Sequence, residues 1–171
     1  MKGEVINMIS DYSVKDIENI ISDEGKCLIS EPMDKHSTFR AGGRADIFVK
    51  LGSAGTLRRL IRYLKDKSIP FVVIGNGSNI LVSDEGYRGA VISFEDTALR
   101  LEEDKEGISA GAGVPLNRLS KFALENSLSG LEFAAGIPGK VGGALYMNAG
   151  AYDGEMKNVV ESNLTDRKSV V

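Results

Sequence analysis

The chain has 171 residues, a length that suits one domain or two small lobes around a shared core. Hydrophobic residues make up 42% and charged residues 26%, which is ordinary for a soluble globular protein. The net charge is -3 and no basic stripe alternates with aromatics, so we expect no nucleic-acid binding. No apolar run approaches the roughly 20 residues that cross a bilayer, and none resembles a signal peptide, so we expect a cytoplasmic protein.

The first predicted element is an amphipathic helix near the start of the chain. Ser13 and Asp16 have the spacing of a capping box, and the apolar residues that follow recur on one helical face. Gly25 is a plausible end for this helix. Cys27 is the one cysteine, which excludes an internal disulfide, and we expect it to be a buried small hydrophobic residue.

A strand is predicted over residues 45–51, followed by a helix from Ser53 that ends before Pro70. This helix is the clearest element, because its leucines and isoleucine recur at the spacing of one helical face. A short apolar run, Phe71 to Ile74, is predicted to be a buried strand. A later helix is predicted to begin at Pro115. Further strand-like runs cover residues 80–82, 90–94, 99–102, 107–110 and the tail from 159 onward.

The order of these elements predicts an α+β fold. We expect an N-terminal helical segment over residues 1–29, a first β-α-β lobe over 30–85 and a strand-rich second lobe over 86–171. The second lobe is expected to be cut short, because its last apolar strand has no partner after it.

Glycine is over-represented, with 20 residues or about 12% of the chain against an average near 7%. A first cluster directly follows the strand predicted before it and consists of Gly75, Asn76, Gly77, Ser78 and Asn79. Backbone N–H groups in such a loop can converge on an anion, so a diphosphate suits it. A Rossmann fingerprint is disfavoured, because Ile80 stands at the third glycine position and a strand is predicted to follow. A plain tight turn between two strands is the alternative.

A second glycine-rich stretch covers residues 136–144. It is not a P-loop, because a valine follows Gly139-Lys140 and an alanine stands at the leading glycine position. The small residues of the next segment, 144–151, would let a flat ring system lie against the backbone. Helix–helix packing through small residues is the alternative interpretation.

His36 is the one histidine, and it has no cysteine or carboxylate cluster beside it, so no metal site is predicted. We expect a surface or loop histidine. Arg40 and Arg44 could bind a phosphate or lie in solvent. No pattern in the sequence indicates a catalytic pair of nucleophile and base. The residues alone therefore indicate an α+β domain whose glycine-rich loops hold a phosphorylated ligand.

Three segments resemble the family of UDP-N-acetylenolpyruvoylglucosamine reductases, and they are 36–43, 73–84 and 130–152. The resemblance covers roughly residues 30 to 160. It implies a two-lobed FAD-binding module of the p-cresol methylhydroxylase (PCMH) and vanillyl-alcohol-oxidase type, with noncovalent FAD. It also implies that NADPH reduces the flavin, which then reduces UDP-N-acetylglucosamine enolpyruvate to UDP-N-acetylmuramate, a step of peptidoglycan precursor synthesis.

The resemblance also implies which residues bind the cofactor. They are Gly75, Asn76, Gly77, Ser78, Asn79, Ile80, Gly136, Gly142, Gly143, Asn148, Ala149 and Gly150. The resemblance implies that the family's substrate-positioning arginine lies a short way beyond residue 171. It implies that the family's catalytic serine and glutamate lie further on, in a substrate domain. We therefore expect this chain alone to bind FAD without completing turnover.

Two other functions stay open. One is a flavoprotein oxidase of small alcohols on the same scaffold, in which His36 would be the candidate for covalent attachment of FAD. The other is a binding or scaffold protein without flavin. The sequence predicts no oligomeric state.

Overall fold

The computed structural model describes residues 11–101 and 107–163, and the structural statements below concern these residues. The helices are α1 (Asp11–Ile21), α2 (Ala54–Asp66), α3 (Leu116–Glu125) and α4 (Val141–Met147). The strands are β1 (Gly25–Pro32), β2 (Arg44–Leu51), β3 (Phe71–Ile74), β4 (Tyr87–Phe94), β5 (Leu99–Leu101), β6 (Ile108–Ala110), β7 (Gly150–Ala151) and β8 (Gly154–Glu155). Short 3-10 turns cover Ser22–Glu24, Met33–His36, Glu132–Gly136 and Met156–Asn158.

The main sheet has four strands in the order β1-β2-β4-β3. Strands β2, β4 and β3 are parallel, and β1 runs antiparallel to β2. The carboxyl ends of the three parallel strands, at Leu51, Ile74 and Phe94, therefore meet at one edge of the sheet. In open sheets of this kind, ligands bind in the crevice outside that edge.

Helix α2 covers one face of the sheet. The Ser53 hydroxyl accepts a hydrogen bond from the Thr56 N–H (3.4 Å), which caps the helix at its start. Leu60 and Leu64 project from α2 into the first core and are fully buried. The other buried members of this core come from α1 and the sheet, and they are Ile17, Ile21, Ile47, Val49, Leu51, Ala90 and Ile92.

A second core lies among α3, α4 and the turns around them. Its buried members are Val114, Leu116, Leu119, Phe133, Ala134, Val141, Ala144 and Met156. The N–H of Leu116 donates to the Gly139 carbonyl (2.9 Å) and that of Val141 to the Val114 carbonyl (2.9 Å). These two bonds fix the start of α3 beside the segment that leads into α4.

Most predicted elements are confirmed, including α2, α3, β2 and the presence of strands at β3 to β6. The helix near the start is also confirmed, although Ser13 lies inside α1 and does not precede it. Strand β1 was not predicted, because charged and polar residues interrupt its apolar pattern. The predicted α+β class agrees with this mixed sheet and its helices.

Three predictions of local structure are wrong. Residues 80–83 form no strand. Strand β3 is not fully buried, because it lies at the sheet edge with Val72 and Val73 exposed. Residues 159–163 are not in a strand, and the rest of the predicted tail lies outside the described residues. The division at residues 29 and 85 stays a prediction; β1 runs across its first boundary.

Candidate cofactor site

The loop over residues 75–80 leaves β3 at the carboxyl edge of the sheet and lies against the segment that begins at His36. A Cβ on Gly77 would lie 1.9 Å from the His36 carbonyl oxygen, and Gly77 has a φ of +64°. Only glycine meets both conditions without strain. The N–H of Thr38 donates to the Gly77 carbonyl (3.1 Å). The first and second resembling segments are therefore in direct backbone contact.

The same two segments are joined further along the loop. The buried Ser37 hydroxyl donates to the Ile80 carbonyl (3.4 Å) and accepts from the Phe39 N–H (3.2 Å). The N–H of Gly43 donates to the Ser83 carbonyl (2.8 Å). These contacts with residues 37–43 replace the strand pairing that the apolar run after Asn79 had suggested.

The third resembling segment touches the loop from the other side. The side-chain amide of Asn76 donates to the Pro138 carbonyl (2.9 Å). A Cβ on Gly75 would contact the Lys140 Cβ at 3.4 Å. Three segments that are far apart in the sequence thus meet at the carboxyl edge of the parallel strands.

A cleft of about 380 Å³ opens between Asn76 of the second segment, residues 135–140 of the third segment and the start of α3. Its lining residues are Asn76, Pro115, Asn117, Ala135, Gly136, Ile137, Pro138, Gly139 and Lys140. Pro115 and Asn117 lie at the start of α3 and were not predicted as site residues, because no local pattern marks them. Lys140 belongs to the stretch that fails to match a P-loop, and its sequence context does not predict its position in the cleft.

The predicted glycines differ in what the fold requires of them. A Cβ on Gly142 would lie 2.9 Å from the Ala112 Cβ, so packing against that turn requires glycine there. A Cβ on Gly136 or Gly143 would meet nothing within 4 Å, and neither residue has a positive φ. Packing inside the chain does not explain these two glycines. An open backbone surface of this kind fits a flat ligand laid against it.

Asn148, Ala149 and Gly150 lie at the far end of α4 from Lys140 and have a clear structural role. Asn148 is left-handed (φ +45°) and caps α4. Its side chain donates to the Glu155 carboxylate (2.6 Å) and accepts from the Lys157 N–H (2.9 Å). The ammonium group of Lys157 also contacts the Glu155 carboxylate, and this side-chain contact, followed by the hydrogen bond from Asn148, lowers the pKa of Glu155. Cofactor binding by these three residues stays a prediction.

His36 is a half-buried residue and does not lie freely on the surface. Its ring stacks on Phe48 at 3.9 Å between centroids, and Nε2 lies 3.0 Å from the Glu31 carboxylate. This hydrogen bond lowers the pKa of Glu31. The described ranges contain no group of three or more His, Cys, Asp and Glu that could hold a metal ion. Within those same ranges, no helix combines the length and the apolar character needed to cross a membrane.

Residues 45–170 match a protein-family model described as an FAD binding domain. The chain belongs to this FAD binding domain family. Its sequence is 44% identical over 157 residues to the UDP-N-acetylenolpyruvoylglucosamine reductase of Clostridioides difficile (strain 630), across 92% of this chain and 48% of that protein. This member of the FAD binding domain family therefore spans about half the length of the curated relatives it matches. The resemblance found in the three segments is confirmed.

Solved structures agree with this assignment. The UDP-N-acetylenolpyruvylglucosamine reductase of Thermus caldophilus matches with a TM-score of 0.61 and 36% identity, over 77% of this chain and 45% of that one. p-Cresol methylhydroxylase matches with a TM-score of 0.51 and 12% identity, over 67% of this chain and 24% of that one. At such low identity the second match shows the fold alone. It confirms the expected p-cresol methylhydroxylase-like architecture of the FAD-binding module.

Proposed function

We propose that this chain binds FAD noncovalently in the cleft between residues 75–80 and 136–140. The observation that carries the proposal is the cleft that the second and third resembling segments form with the start of α3, in a chain of the FAD binding domain family. The loop after β3 would hold the diphosphate through its backbone N–H groups, since it lies at the carboxyl edge of parallel strands.

The open backbone around the second glycine cluster would receive the flavin. Gly136 and Gly143 leave space that no atom of the chain fills, and Gly142 anchors the segment on the turn at Ala112. Asn148, Ala149 and Gly150 would contribute at the end of α4. When bound, FAD supplies hydride-transfer chemistry, while the chain's own residues bind and orient it.

We propose further that the whole protein is an NADPH-dependent reductase. It would convert UDP-N-acetylglucosamine enolpyruvate to UDP-N-acetylmuramate in the cytoplasm, for peptidoglycan synthesis. The name of the C. difficile relative, 44% identical over 92% of this chain, supports this reaction. Because the chain spans about half of such relatives, we propose that these 171 residues alone do not complete turnover.

The contacts of His36 support noncovalent binding. Its ring stacks on Phe48 and its Nε2 is engaged by the Glu31 carboxylate, so a covalent bond to flavin at Nε2 would have to break the contact with Glu31. Release of intact FAD on heating would agree with this, whereas flavin that stays with the denatured chain would favour the covalent oxidase.

The first experiment is an absorbance spectrum of the purified chain before and after addition of FAD, followed by heat release and identification of the flavin. Bound, releasable FAD is expected. A chain shown to be folded by circular dichroism that binds no FAD would contradict the proposal. Full turnover of NADPH and the UDP-sugar by these 171 residues would contradict the proposal that they do not complete the reaction alone.

A further inference from the structure

Lys140 is the one charged residue among the nine that line the described cleft. It directly precedes α4, and its side chain is only 15% exposed. The stem of the side chain lies over Gly75, where an added Cβ would meet the Lys140 Cβ at 3.4 Å and its Cγ and Cδ at 3.9 Å. The lysine stem therefore packs over the backbone of Gly75, which keeps the side chain of Lys140 beside the loop.

The ammonium of Lys140 shares a carboxylate with a second lysine. Its Nζ lies 4.0 Å from Glu95 Oε1, and the Nζ of Lys50 lies 3.9 Å from the same oxygen. Glu95 directly follows β4, so the group sits at the carboxyl edge of the sheet. Two cations and one anion leave a net charge of one positive unit. Both pairs are at the outer limit of an ion pair, and Glu95 is 44% exposed, so each pair holds its lysine weakly.

We infer that Lys140 is a binding residue for the diphosphate of the cofactor, with its ammonium group directed to a phosphate oxygen while Lys50 remains beside Glu95. This inference rests on the proposed function, and it assigns a side-chain cation to a site otherwise built from backbone and amide groups. A lysine acts on phosphate as a point charge and contributes through charge-assisted hydrogen bonding. Lys140 therefore favours ligands that carry the diphosphate over flavins that lack it.

The test compares FAD with riboflavin, which has the same ring system and no phosphate. The variant is Lys140→Met, which keeps an unbranched apolar stem over Gly75 and removes the charge. For FAD we expect about tenfold weaker binding, consistent with the loss of one partly exposed charge-assisted contact. We expect unchanged riboflavin binding and a shallower dependence of FAD affinity on salt. Flavin fluorescence titrations at low and moderate salt give all three quantities.

Lys50→Met is the matched control, because it removes an equal charge that pairs with the same carboxylate oxygen and does not line the cleft. Its FAD affinity should change less than twofold, and Lys140→Arg should retain most of the affinity. Thermal unfolding by circular dichroism establishes that each variant is folded.

These measurements distinguish a failure of the proposed FAD binding from a failure of the assignment of Lys140. If the wild-type chain binds neither flavin, the proposed function fails and this inference falls with it. If the wild-type chain binds FAD and Lys140→Met binds it equally well, only the assignment of Lys140 fails. If Lys140→Met loses affinity equally for FAD and for riboflavin, the effect is one of shape and the assignment of Lys140 fails. If Lys140→Met and Lys50→Met lose FAD affinity equally, the effect is one of general charge and the assignment also fails.

Discussion

The backbone carbonyl of His36 occupies the space that a side chain on Gly77 would need. The oxygen would lie 1.9 Å from a Cβ at Gly77, and the carbonyl carbon 2.9 Å from it. Because the Cβ position is fixed by the backbone and the atoms it would meet are also backbone atoms, a side-chain rotation could not relieve the clash. The close approach holds the loop after β3 against residues 36–38 and so sets the position of the proposed diphosphate site.

Gly77→Ala should therefore destabilise the chain and weaken FAD binding. The left-handed φ of +64° alone costs about 1–2 kcal/mol for a residue with a Cβ, and the clash adds to this. Urea unfolding should show the loss in free energy of unfolding. Gly55→Ala is the matched control: its Cβ would meet only the Ser53 hydroxyl, at 3.8 Å, inside α2, where alanine is favoured. Equal stability of Gly77→Ala and wild type would contradict the prediction.

Gly136→Ala should have the opposite pattern, with unchanged stability and weaker FAD binding. A methyl group there meets no atom of the chain within 4 Å, so folding is not affected, but it occupies space in the proposed flavin site. Gly142→Ala is the comparison, because its methyl would lie 2.9 Å from the Ala112 Cβ and should lower the melting temperature. Paired melting curves and FAD titrations test both variants. FAD affinity that is unaffected in Gly136→Ala would place the flavin elsewhere.

The sequence predicted the elements whose pattern is local and strong. Helix α2 follows from the apolar face that carries Leu60 and Leu64, together with Ser53 as its cap. Strand β1 was missed, because its pairing with β2 is a long-range contact that its mixed polarity does not reveal. The run after Asn79 was misread as a strand for the same reason, since side-chain and backbone groups of residues 37–43 hold it instead.

The sequence predicted the separate segments of the candidate site but not the contacts between them. Motif resemblance named the loop from Gly75 and the stretch from Gly136, but only the fold shows that Asn76 reaches the Pro138 carbonyl. Asn117 and Lys140 line the cleft because α3 and α4 start beside it, a relationship that depends on tertiary packing. Asn148 shows the converse, because its side-chain contacts with Glu155 and Lys157 explain its presence without a ligand.

Cys27 should react slowly with thiol reagents in the folded chain. Cys27 is half-buried, and not fully buried as the sequence had predicted. Its partial burial, followed by the charge of Glu18, raises the pKa of this thiol from 9.0 to about 11, so very little thiolate is present at pH 8. Labelling with a disulfide reagent at pH 8 should be slow without denaturant and fast in urea. Rapid labelling of the folded chain would contradict the prediction.

The raised pKa of Cys27 also predicts that the free energy of unfolding falls as pH rises from about 9 to about 11, because the thiol of the unfolded chain loses its proton at a lower pH than that of the folded chain. Cys27→Ala should show a smaller decline than wild type, because the raised pKa values of Tyr63 and Tyr87 contribute to the decline in both proteins.

Glu31 and His36 should make part of the stability depend on acidity. The hydrogen bond from His36 is the main cause that lowers the pKa of Glu31 below its ordinary value of 4.5. Because the folded-state pKa is the lower one, the contribution is present above about pH 4.5 and is lost as pH falls through the folded-state pKa.

The difference in free energy of unfolding between wild type and Glu31→Gln should therefore narrow as pH falls from 6 to 3. In a His36→Gln background, the same substitution should show little of this pH dependence, because the main cause of the shift is absent. Urea unfolding of the four proteins at several pH values gives the full double-mutant cycle. A difference that stays constant with pH, or a pH dependence that persists unchanged without His36, would contradict the prediction.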